Sequence, residues 1–190
     1  DAASFLQALP SSRRRNIRKA QRQGIKVRFS RSATDVAFLA DVHRANMQEV
    51  GGVWKRREFF ERLLLREDSS KWLLAIGELD GEPVSALLIA INGETLEYFT
   101  PAVQREWRSS QAMVLVDFTL LSWAIEQGFK YWNWGGTHAN QLGLHRFKAQ
   151  WLAEDVAYEY LTFSVHPQLN DSSTREYLPD YPYMFIHPIK

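Results

Sequence analysis

The sequence predicts an α/β protein with a mixed central β-sheet and helices on both faces of that sheet. Three apolar runs occupy residues 71–78, 83–91 and 94–100, and the dipeptides Asp80-Gly81 and Asn92-Gly93 separate them. A tight hairpin turn needs positive φ angles, which Asp-Gly and Asn-Gly supply. The three runs are therefore predicted to be consecutive antiparallel strands.

The region after the third strand predicts a helix, a strand, a second helix and a last strand. Residues 110–127 are apolar nearly all round, which is typical of a helix buried against a sheet. The pattern then predicts a strand at 129–134, a short helix near 138–151 and a strand at 156–165. Because a helical crossover joins parallel strands, we expect 94–100 and 129–134 to be parallel neighbours, with the two helices on opposite faces.

The N-terminal third predicts helices around one short strand. Residues 1–12 are expected to form a loose lead-in, in which Pro10, Ser11 and Ser12 end one segment and cap the next. The pattern then predicts a basic helix at 13–23, a strand at 25–29, a helix from Thr34 or Asp35 to 50, and a helix at 55–66. We expect a single domain over 13–165 and a C-terminal extension, 166–190, with a short strand at 183–186.

Composition excludes several classes of function. The 190 residues contain no cysteine, which excludes a disulfide-linked partner, a thiol nucleophile and a thiolate metal site. No run approaches the roughly 18 consecutive apolar residues of a membrane helix, and the N-terminus lacks the apolar core of a signal peptide. We therefore expect a cytoplasmic protein without a membrane partner. A start at Asp1 rather than Met is compatible with a piece excised from a longer chain.

The start of the apolar helix is a candidate anion site. A helix N-terminus presents unpaired N–H groups and a partial positive charge. The polar residues at this helix start are Arg105, Arg108, Ser109, Ser110 and Gln111. They favour a cradle for a donor phosphate or pyrophosphate, although the glycines that let a backbone approach a phosphate are absent. An ordinary capped helix with two surface arginines is the alternative.

The turn after the fourth predicted strand is a second candidate site. Trp134 ends the strand, Gly135-Gly136 permits a sharp turn, and Thr137 is expected to cap the helix that follows. Polar residues at spacings of three, four and three then form one helix stripe, namely His138, Gln141, His145 and Lys148. A solvated helix face is the alternative. The two histidines are seven residues apart and no carboxylate joins them, so no metal site is predicted.

The basic helix is the third candidate. It carries six cations in ten residues, namely Arg13, Arg14, Arg15, Arg18, Lys19 and Arg22. Such a run needs anions nearby or full solvation. Nucleic acid, a substrate phosphate or the protein's own acidic surface would each satisfy it.

These segments together resemble a known family. The order of predicted elements is similar to the GNAT acyltransferase fold. Residues 13–24 (RRRNIRKAQRQG), 132–137 (WNWGGT) and 143–151 (GLHRFKAQW) resemble motifs of the Fem-type aminoacyltransferases and their GNAT-like acetyltransferase relatives. The Gly-Leu-x-x-Phe-Lys element is the most specific of these, and the resemblance covers residues 11–165. Fem-type enzymes contain two GNAT-like units, so this chain resembles the second unit or a one-unit relative.

The resemblance implies an N-acyltransferase. Members join an acyl or aminoacyl group to an amine, and they take it from an acyl thioester such as acyl-coenzyme A or from aminoacyl-tRNA. The acceptor implied is a small molecule or a nucleotide-linked one, such as a sugar or a cell-wall precursor that bears phosphate. Lys148 corresponds to the family lysine associated with a phosphate of the acceptor, and Arg14 and Arg18 would face a phosphate or the end of a tRNA.

Amine attack on a thioester or ester needs a route for the amine proton and donors for the oxyanion. A backbone N–H near 98–100 would supply a donor, and Tyr98 or His145 would relay the proton, as would the substrate itself. Two other classes of function are compatible with the sequence. One is a phosphate- or RNA-binding module without turnover, and the other is a half-unit that works only with a partner unit.

Overall fold

We describe the fold from a computed structural model, which defines residues 1–66, 69–157 and 159. The strands are β1 (Lys26–Ser30), β2 (Trp72–Leu79), β3 (Glu82–Asn92), β4 (Thr95–Val103) and β5 (Tyr131–Asn133). The helices are α1 (Ala2–Ala8), α2 (Ser11–Arg22), α3 (Ala33–Glu49), α4 (Arg57–Leu64), α5 (Ala112–Glu126) and α6 (Leu142–Ala149). Most of the strand predicted at 156–165, and all of the extension 166–190 with its strand at 183–186, lie outside the described residues.

The five strands form one sheet in the order β1-β2-β3-β4-β5. The pairs β1–β2, β2–β3 and β3–β4 are antiparallel, and the pair β4–β5 is parallel. The mixed sheet predicted from the sequence is thus confirmed, including the parallel pair that the α5 crossover imposes. β5 is three residues long, shorter than the predicted strand at 129–134.

The two hairpins use different turn chemistry. Asp80 and Gly81 both have positive φ, 52° and 88°, between the paired residues Leu79 and Glu82, as a type I′ turn requires. In the second hairpin Asn92 pairs with Thr95, so the turn lies at Gly93 and Glu94. Gly93 alone has positive φ, 58°, which is the pattern of a type II′ turn.

Helices cover both faces of the sheet because alternate strand residues point to opposite sides. α3 and α4 pack on one face, where Leu74, Ile76, Ala86 and Leu88 are fully buried. α5 packs on the other face over residues of opposite parity, which are Ala75, Leu87, Ile89 and Leu96. Burying one side chain the size of Leu74 stabilises the fold by about 1.5–3 kcal/mol.

The position of α6 differs from the prediction. Its Phe147 and the following Trp151 share a hydrophobic cluster with α1, α2 and α5. α6 therefore lies on the α5 side, and the prediction that it covers the opposite face is wrong. The opposite face is already occupied by α3 and α4, whose apolar side chains fill it.

The N-terminal segment and two helix starts also differ from the expectations. Residues 2–8 form α1, capped by the Asp1 side chain, and Leu9 is buried against α2 and α5, so 1–12 is not a loose lead-in. Ser32, rather than Thr34 or Asp35, caps α3. α2 begins at Ser11 after Pro10 without a side-chain cap, and it buries Ile17 and Ala20. Within the described part of the chain, no helix is long and apolar enough to cross a membrane.

Candidate functional site

The sheet opens between β4 and β5. Their pairing is limited to Thr95–Glu97 of β4 against Tyr131–Asn133 of β5, whereas β4 continues to Val103. The pairing of β4 with β3 contains a β-bulge at Phe99, which has no partner residue in β3. This bulge lies two residues after Glu97, the last β4 residue that pairs with β5. Bulges bend a strand and raise its twist. From Tyr98 onward the outer edge of β4 therefore has no neighbouring strand among the described residues.

An asparagine closes the far end of this opening. The Asn46 side chain of α3 accepts a hydrogen bond from the Val103 N–H at 3.1 Å and donates one to the Val103 carbonyl at 2.9 Å. An amide side chain offers the same donor and acceptor as a neighbouring strand. The gap between β4 and β5, which we call the splay, is thus bounded by the last pair at Glu97 and by Asn46.

Aromatic side chains line the splay on the α5 side. The Tyr98 ring lies 4.9 Å from the Trp134 ring and 6.5 Å from the Trp132 ring, centroid to centroid. Trp134 also contacts Phe147 of α6 at 5.8 Å and stacks on Trp151 at 6.1 Å. These separations suit edge-to-face and offset contacts between aromatic rings. Tyr98, Trp132 and Trp134 are each partly exposed, so this layer lies between the core and solvent.

Lys148 holds the turn that follows β5. Its Nζ donates to the Gly135 carbonyl at 2.8 Å, the Gly136 carbonyl at 3.0 Å and the Thr137 hydroxyl at 2.7 Å. These three acceptors match the three donors of an ammonium group. Lys148 is 9% exposed, and burial lowers its pKa. Thr137 is thereby engaged with Lys148 and does not cap α6, which begins after Gln141.

Arg13 ties α2 to α6. Its guanidinium donates to the Gln150 side-chain oxygen at 2.7 Å and to the Phe147 carbonyl at 3.3 Å. The same group lies over the Trp151 ring at 4.5 Å and the Phe147 ring at 5.0 Å, within cation–π range. The residue is 2% exposed, and burial lowers its pKa, an effect that Asp117 and Tyr98 oppose. The basic helix thus contributes one buried arginine to the aromatic layer.

Tyr98 is suited to donate a hydrogen bond. Burial raises the pKa of its phenol well above 10.0, and the Asp117 carboxylate raises it further, while Arg13 opposes the shift. A phenol of raised pKa stays protonated at neutral pH, so it donates hydrogen bonds rather than acting as a base.

The predicted donor-binding residues occupy a 3-10 helix, Arg105–Ser110, rather than an open loop. Arg108 forms a bidentate ion pair with Glu49 of α3, at 2.9 and 2.5 Å, and lowers the pKa of that carboxyl. Ser110 is buried; its hydroxyl donates to the Trp107 carbonyl and accepts from the Ala112 N–H, the first N–H of α5, while Gln111 occupies the N-cap position. Arg105 is largely exposed, Ser109 is exposed, and Gln111 takes a left-handed conformation at the start of α5.

The remaining predicted residues are not brought to one cleft. Arg14 donates to the Gln7 and Leu9 carbonyls at the end of α1. Arg18 is exposed on the outer face of α2. His145 lies on α6 with Nε2 2.9 Å from an exposed Asp155 oxygen. Lys148, Gly135, Gly136, Thr137, Trp134 and Tyr98 form one connected set, which Arg14 and Arg18 do not join. Among the described side chains, no group of three or more His, Asp or Glu is placed to hold a metal ion.

Sequence reasoning missed the buried residues Arg13 and Asp117. Arg13 shares a helix face with Ile17 and Ala20, at spacings of four and seven, which marks it as the one arginine on the buried stripe. Asp117 is the single charged residue between Ala112 and Ile125 of the apolar helix. A lone charge in such a helix signals a buried ionisable group.

A family model described as an acetyltransferase (GNAT) domain matches residues 11–165. The match spans most of the chain and includes every element of the splay. The chain therefore belongs to the GNAT acetyltransferase-domain family. No curated protein matches the sequence.

Solved structures support the fold. The structure of FemX superposes with a TM-score of 0.71 at 15% identity, covering 80% of this chain and 56% of FemX. A ribosomal-protein-alanine N-acetyltransferase from Brucella melitensis biovar Abortus 2308 has a TM-score of 0.55 at 16% identity, covering 74% and 99%. An aminoglycoside acetyltransferase from an uncultured soil metagenomic sample, in complex with sisomicin, has a TM-score of 0.53 at 16% identity, covering 74% and 97%. This chain spans just over half the length of FemX.

Proposed function

We propose that this protein is an N-acyltransferase of the Fem type, which moves an acyl or aminoacyl group from an activated donor to an amine. The observation that carries the proposal is the splay, where the outer edge of β4 has no neighbouring strand over six residues within the described part of the chain, beside the partly exposed residue Tyr98. A strand edge without a partner offers backbone N–H groups to a ligand. The donor carbonyl would lie against this edge.

In this mechanism the chain supplies position, a hydrogen-bond donor and a proton. A backbone N–H between Tyr98 and Thr100, at the bulge, would stabilise the oxyanion that forms when the amine attacks the acyl carbon. The Tyr98 phenol would give a proton to the departing thiolate or alkoxide as it takes one from the attacking nitrogen, so that it never ionises, as its raised pKa requires. His145, which is paired with exposed Asp155, is a second candidate relay.

The donor is proposed to be acyl-coenzyme A or aminoacyl-tRNA, with its phosphates near Arg105, Arg108, Ser109, Ser110 and Gln111. The N-terminus of α5 begins there, and a helix N-terminus attracts phosphate. The Arg108 guanidinium is engaged with Glu49, so Arg105 is the more accessible cation of the two. The structural likeness to FemX makes a Fem-type donor the natural second test.

The acceptor is proposed to carry phosphate beside its amine. Arg15, Arg18, Lys19 and Arg22 are exposed on α2, and within the described residues none of them forms an ion pair. An unpaired cationic face attracts anions. Arg14 and Lys148 would join a phosphate only by exchanging their present carbonyl partners.

The test is acyl transfer from two donors to a panel of amines, with and without a phosphate group. Release of free thiol from acyl-coenzyme A can be followed without background from the protein, because the chain has no cysteine. Replacing Tyr98 by Phe should reduce turnover by about 10²–10⁴-fold, the usual contribution of a positioned proton donor. Tyr131→Phe is the matched control, since Tyr131 is exposed on β5. Full turnover by the Tyr98→Phe protein would remove Tyr98 from the mechanism.

A second candidate function is RNA binding without turnover. The unpaired cations of α2 favour it, and its distinguishing sign is salt-dependent binding with no transfer from either donor.

A further inference from the structure

The interior behind the splay contains a carboxylate without a partner. Asp117 lies in the middle of α5 and is 0% exposed. Neither of its oxygens has a hydrogen-bond partner anywhere in the described structure. Buried polar groups are nearly always hydrogen-bonded, and a buried charge is costly unless it is paired. A buried carboxyl group without a partner, in a helix that is mostly apolar, therefore needs a reason.

The surroundings of Asp117 connect it to the splay. Its neighbours along α5 divide between the two clusters on this face, with Val114 and Leu121 in one and Met113 and Leu120 in the other. Trp132 of β5 packs against both clusters. The ionisable groups that act on the carboxylate are Arg13 from α2, which favours its charge, and Tyr98 from β4, whose own ionisation it opposes. Asp117 thus lies on the α5 side of the sheet, between the two clusters against which Trp132 packs.

Arg13 does not neutralise Asp117 by direct contact. Its guanidinium is committed to Gln150, Phe147 and the two aromatic rings, and no ion pair joins it to Asp117. Other buried polar atoms of the same layer also have no partner in the described structure, namely Arg13 Nε, Trp132 Nε1 and Trp151 Nε1. The Ser85 hydroxyl, which faces α5 beside Val116, has no partner either. Of these groups only the Asp117 carboxyl can become an anion, and the clusters around it contain rings whose faces attract cations.

We propose that Asp117 is the subsite for the charged amine of the acceptor, holding its ammonium group behind Tyr98 and accepting one proton from it. This inference rests on the proposed acyl transfer and names the residue that receives the amine. A primary ammonium supplies the hydrogen-bond donors that the carboxylate lacks, and the aromatic rings suit its charge. The ligand class is therefore a primary aliphatic amine.

The proton steps balance. The ammonium gives one proton to Asp117 and becomes the neutral nucleophile. Its nitrogen then bonds to the acyl carbon while the bond from that carbon to the thiol sulfur or ester oxygen breaks. Tyr98 gives its proton to the leaving group and takes a second proton from the attacking nitrogen in return. Asp117 keeps the proton that it took from the ammonium, which restores the protonated carboxyl of the free protein, and the one proton that the reaction releases is the one displaced when the amine binds.

The test measures amine binding by the full chain without any acyl donor. Thermal unfolding is followed as propylamine is added, with tetramethylammonium chloride at equal ionic strength as the control salt. A ligand that binds only the folded state raises the melting temperature by mass action. We expect propylamine, and not tetramethylammonium, to raise it, and Asp117→Asn to weaken propylamine binding at least tenfold. Asp41→Asn is the matched control, because Asp41 is an exposed carboxylate on α3 that should leave binding unchanged.

A measurement on the unaltered protein decides the matter if the Asn variant does not fold. Burial raises the pKa of Asp117 well above 3.8, so the free carboxyl holds a proton that an arriving ammonium must displace. Calorimetry in two buffers of different ionisation enthalpy should then show about one proton released per propylamine bound. Absence of a propylamine effect, equal binding by Asp117→Asn, or binding without proton release would each overturn the proposal. Amine binding without any acyl transfer would instead count against the proposed function alone.

Discussion

The Nζ of Lys148 lies 2.8 Å from the carbonyl oxygen of Gly135, thirteen residues earlier in the chain. Together with its bonds to Gly136 and Thr137, this contact fixes the turn after β5 to the last turn of α6. Gly135 has a φ of 71°, a conformation that side-chain-bearing residues rarely adopt. Lys148 thus holds the turn after β5 against α6.

Replacing Lys148 by Met should therefore destabilise the protein. We expect a loss of about 1–3 kcal/mol in the free energy of unfolding, because three hydrogen bonds from a charged and nearly buried group disappear. Chemical denaturation measures this loss. Lys130→Met is the control, since Lys130 forms only an exposed ion pair with Glu94 and should change stability by less than about 1 kcal/mol. Equal stability of the two variants would show that the three hydrogen bonds of Lys148 do not stabilise the fold.

His43 should make the protein sensitive to mild acid. Burial lowers its pKa from 6.5 to about 4, and the charge of Lys55 adds to the effect. The folded state therefore resists protonation that the unfolded chain accepts. The free energy of unfolding therefore has its full value above pH 6.5, and protonation of His43 in the unfolded chain lowers it by up to about 3 kcal/mol as the pH falls towards 4. In His43→Gln the stability between pH 7 and 4 should be flatter than in the parent protein, whereas the exposed His145→Gln should keep the parent's slope.

Asp35 should dominate a second, more acidic transition. The Arg28 guanidinium donates to its carboxylate at 2.7 and 3.0 Å, and this bond chiefly lowers the Asp35 pKa to about 2. A depressed carboxyl pKa stabilises the fold above pH 4, and the benefit disappears as pH falls from 4 to 2. We expect Asp35→Asn to cost about 2 kcal/mol at pH 7 and almost nothing at pH 2. A difference that stays constant with pH would contradict this assignment.

The sequence predicted the sheet because its signals were local. Asp80-Gly81 forms the first turn as predicted, whereas the second turn lies at Gly93 and Glu94, one residue later than the predicted Asn92-Gly93. The crossover rule then determines that β5 runs parallel to β4. The side of the sheet taken by α6 was not predictable in this way. It depends on contacts of Phe147 and Trp151 with Arg13, more than 130 residues apart in the chain.

The candidate site was predicted in part for the same reason. The turn residues Trp134–Thr137 and Lys148 are close in sequence, and the structure brings them together with Tyr98 through Trp134. The basic helix was identified as a charged face, yet its inward-facing Arg13 and its outward-facing Arg18 play different parts. Counting charges could not separate them, whereas the spacing of Ile17 and Ala20 on the buried stripe could have done so.

Substitution of the exposed cations of α2 can distinguish an acyltransferase from an RNA-binding module. Arg18 and Arg22 are the pair to neutralise, because Arg14 holds the end of α1 and its loss would confuse stability with binding. If α2 serves acyl transfer, Arg18→Gln with Arg22→Gln should abolish transfer to a phosphorylated acceptor while transfer to its unphosphorylated analogue survives. If α2 serves RNA, the double variant should instead flatten the dependence of affinity on salt, by about 0.7–0.9 in log–log slope for each phosphate that is no longer neutralised. Neither substitution should lower the melting temperature, since both arginines are exposed and removing like charges reduces repulsion. We expect the first outcome, and an altered salt slope with transfer intact would replace the enzyme proposal by the binding module.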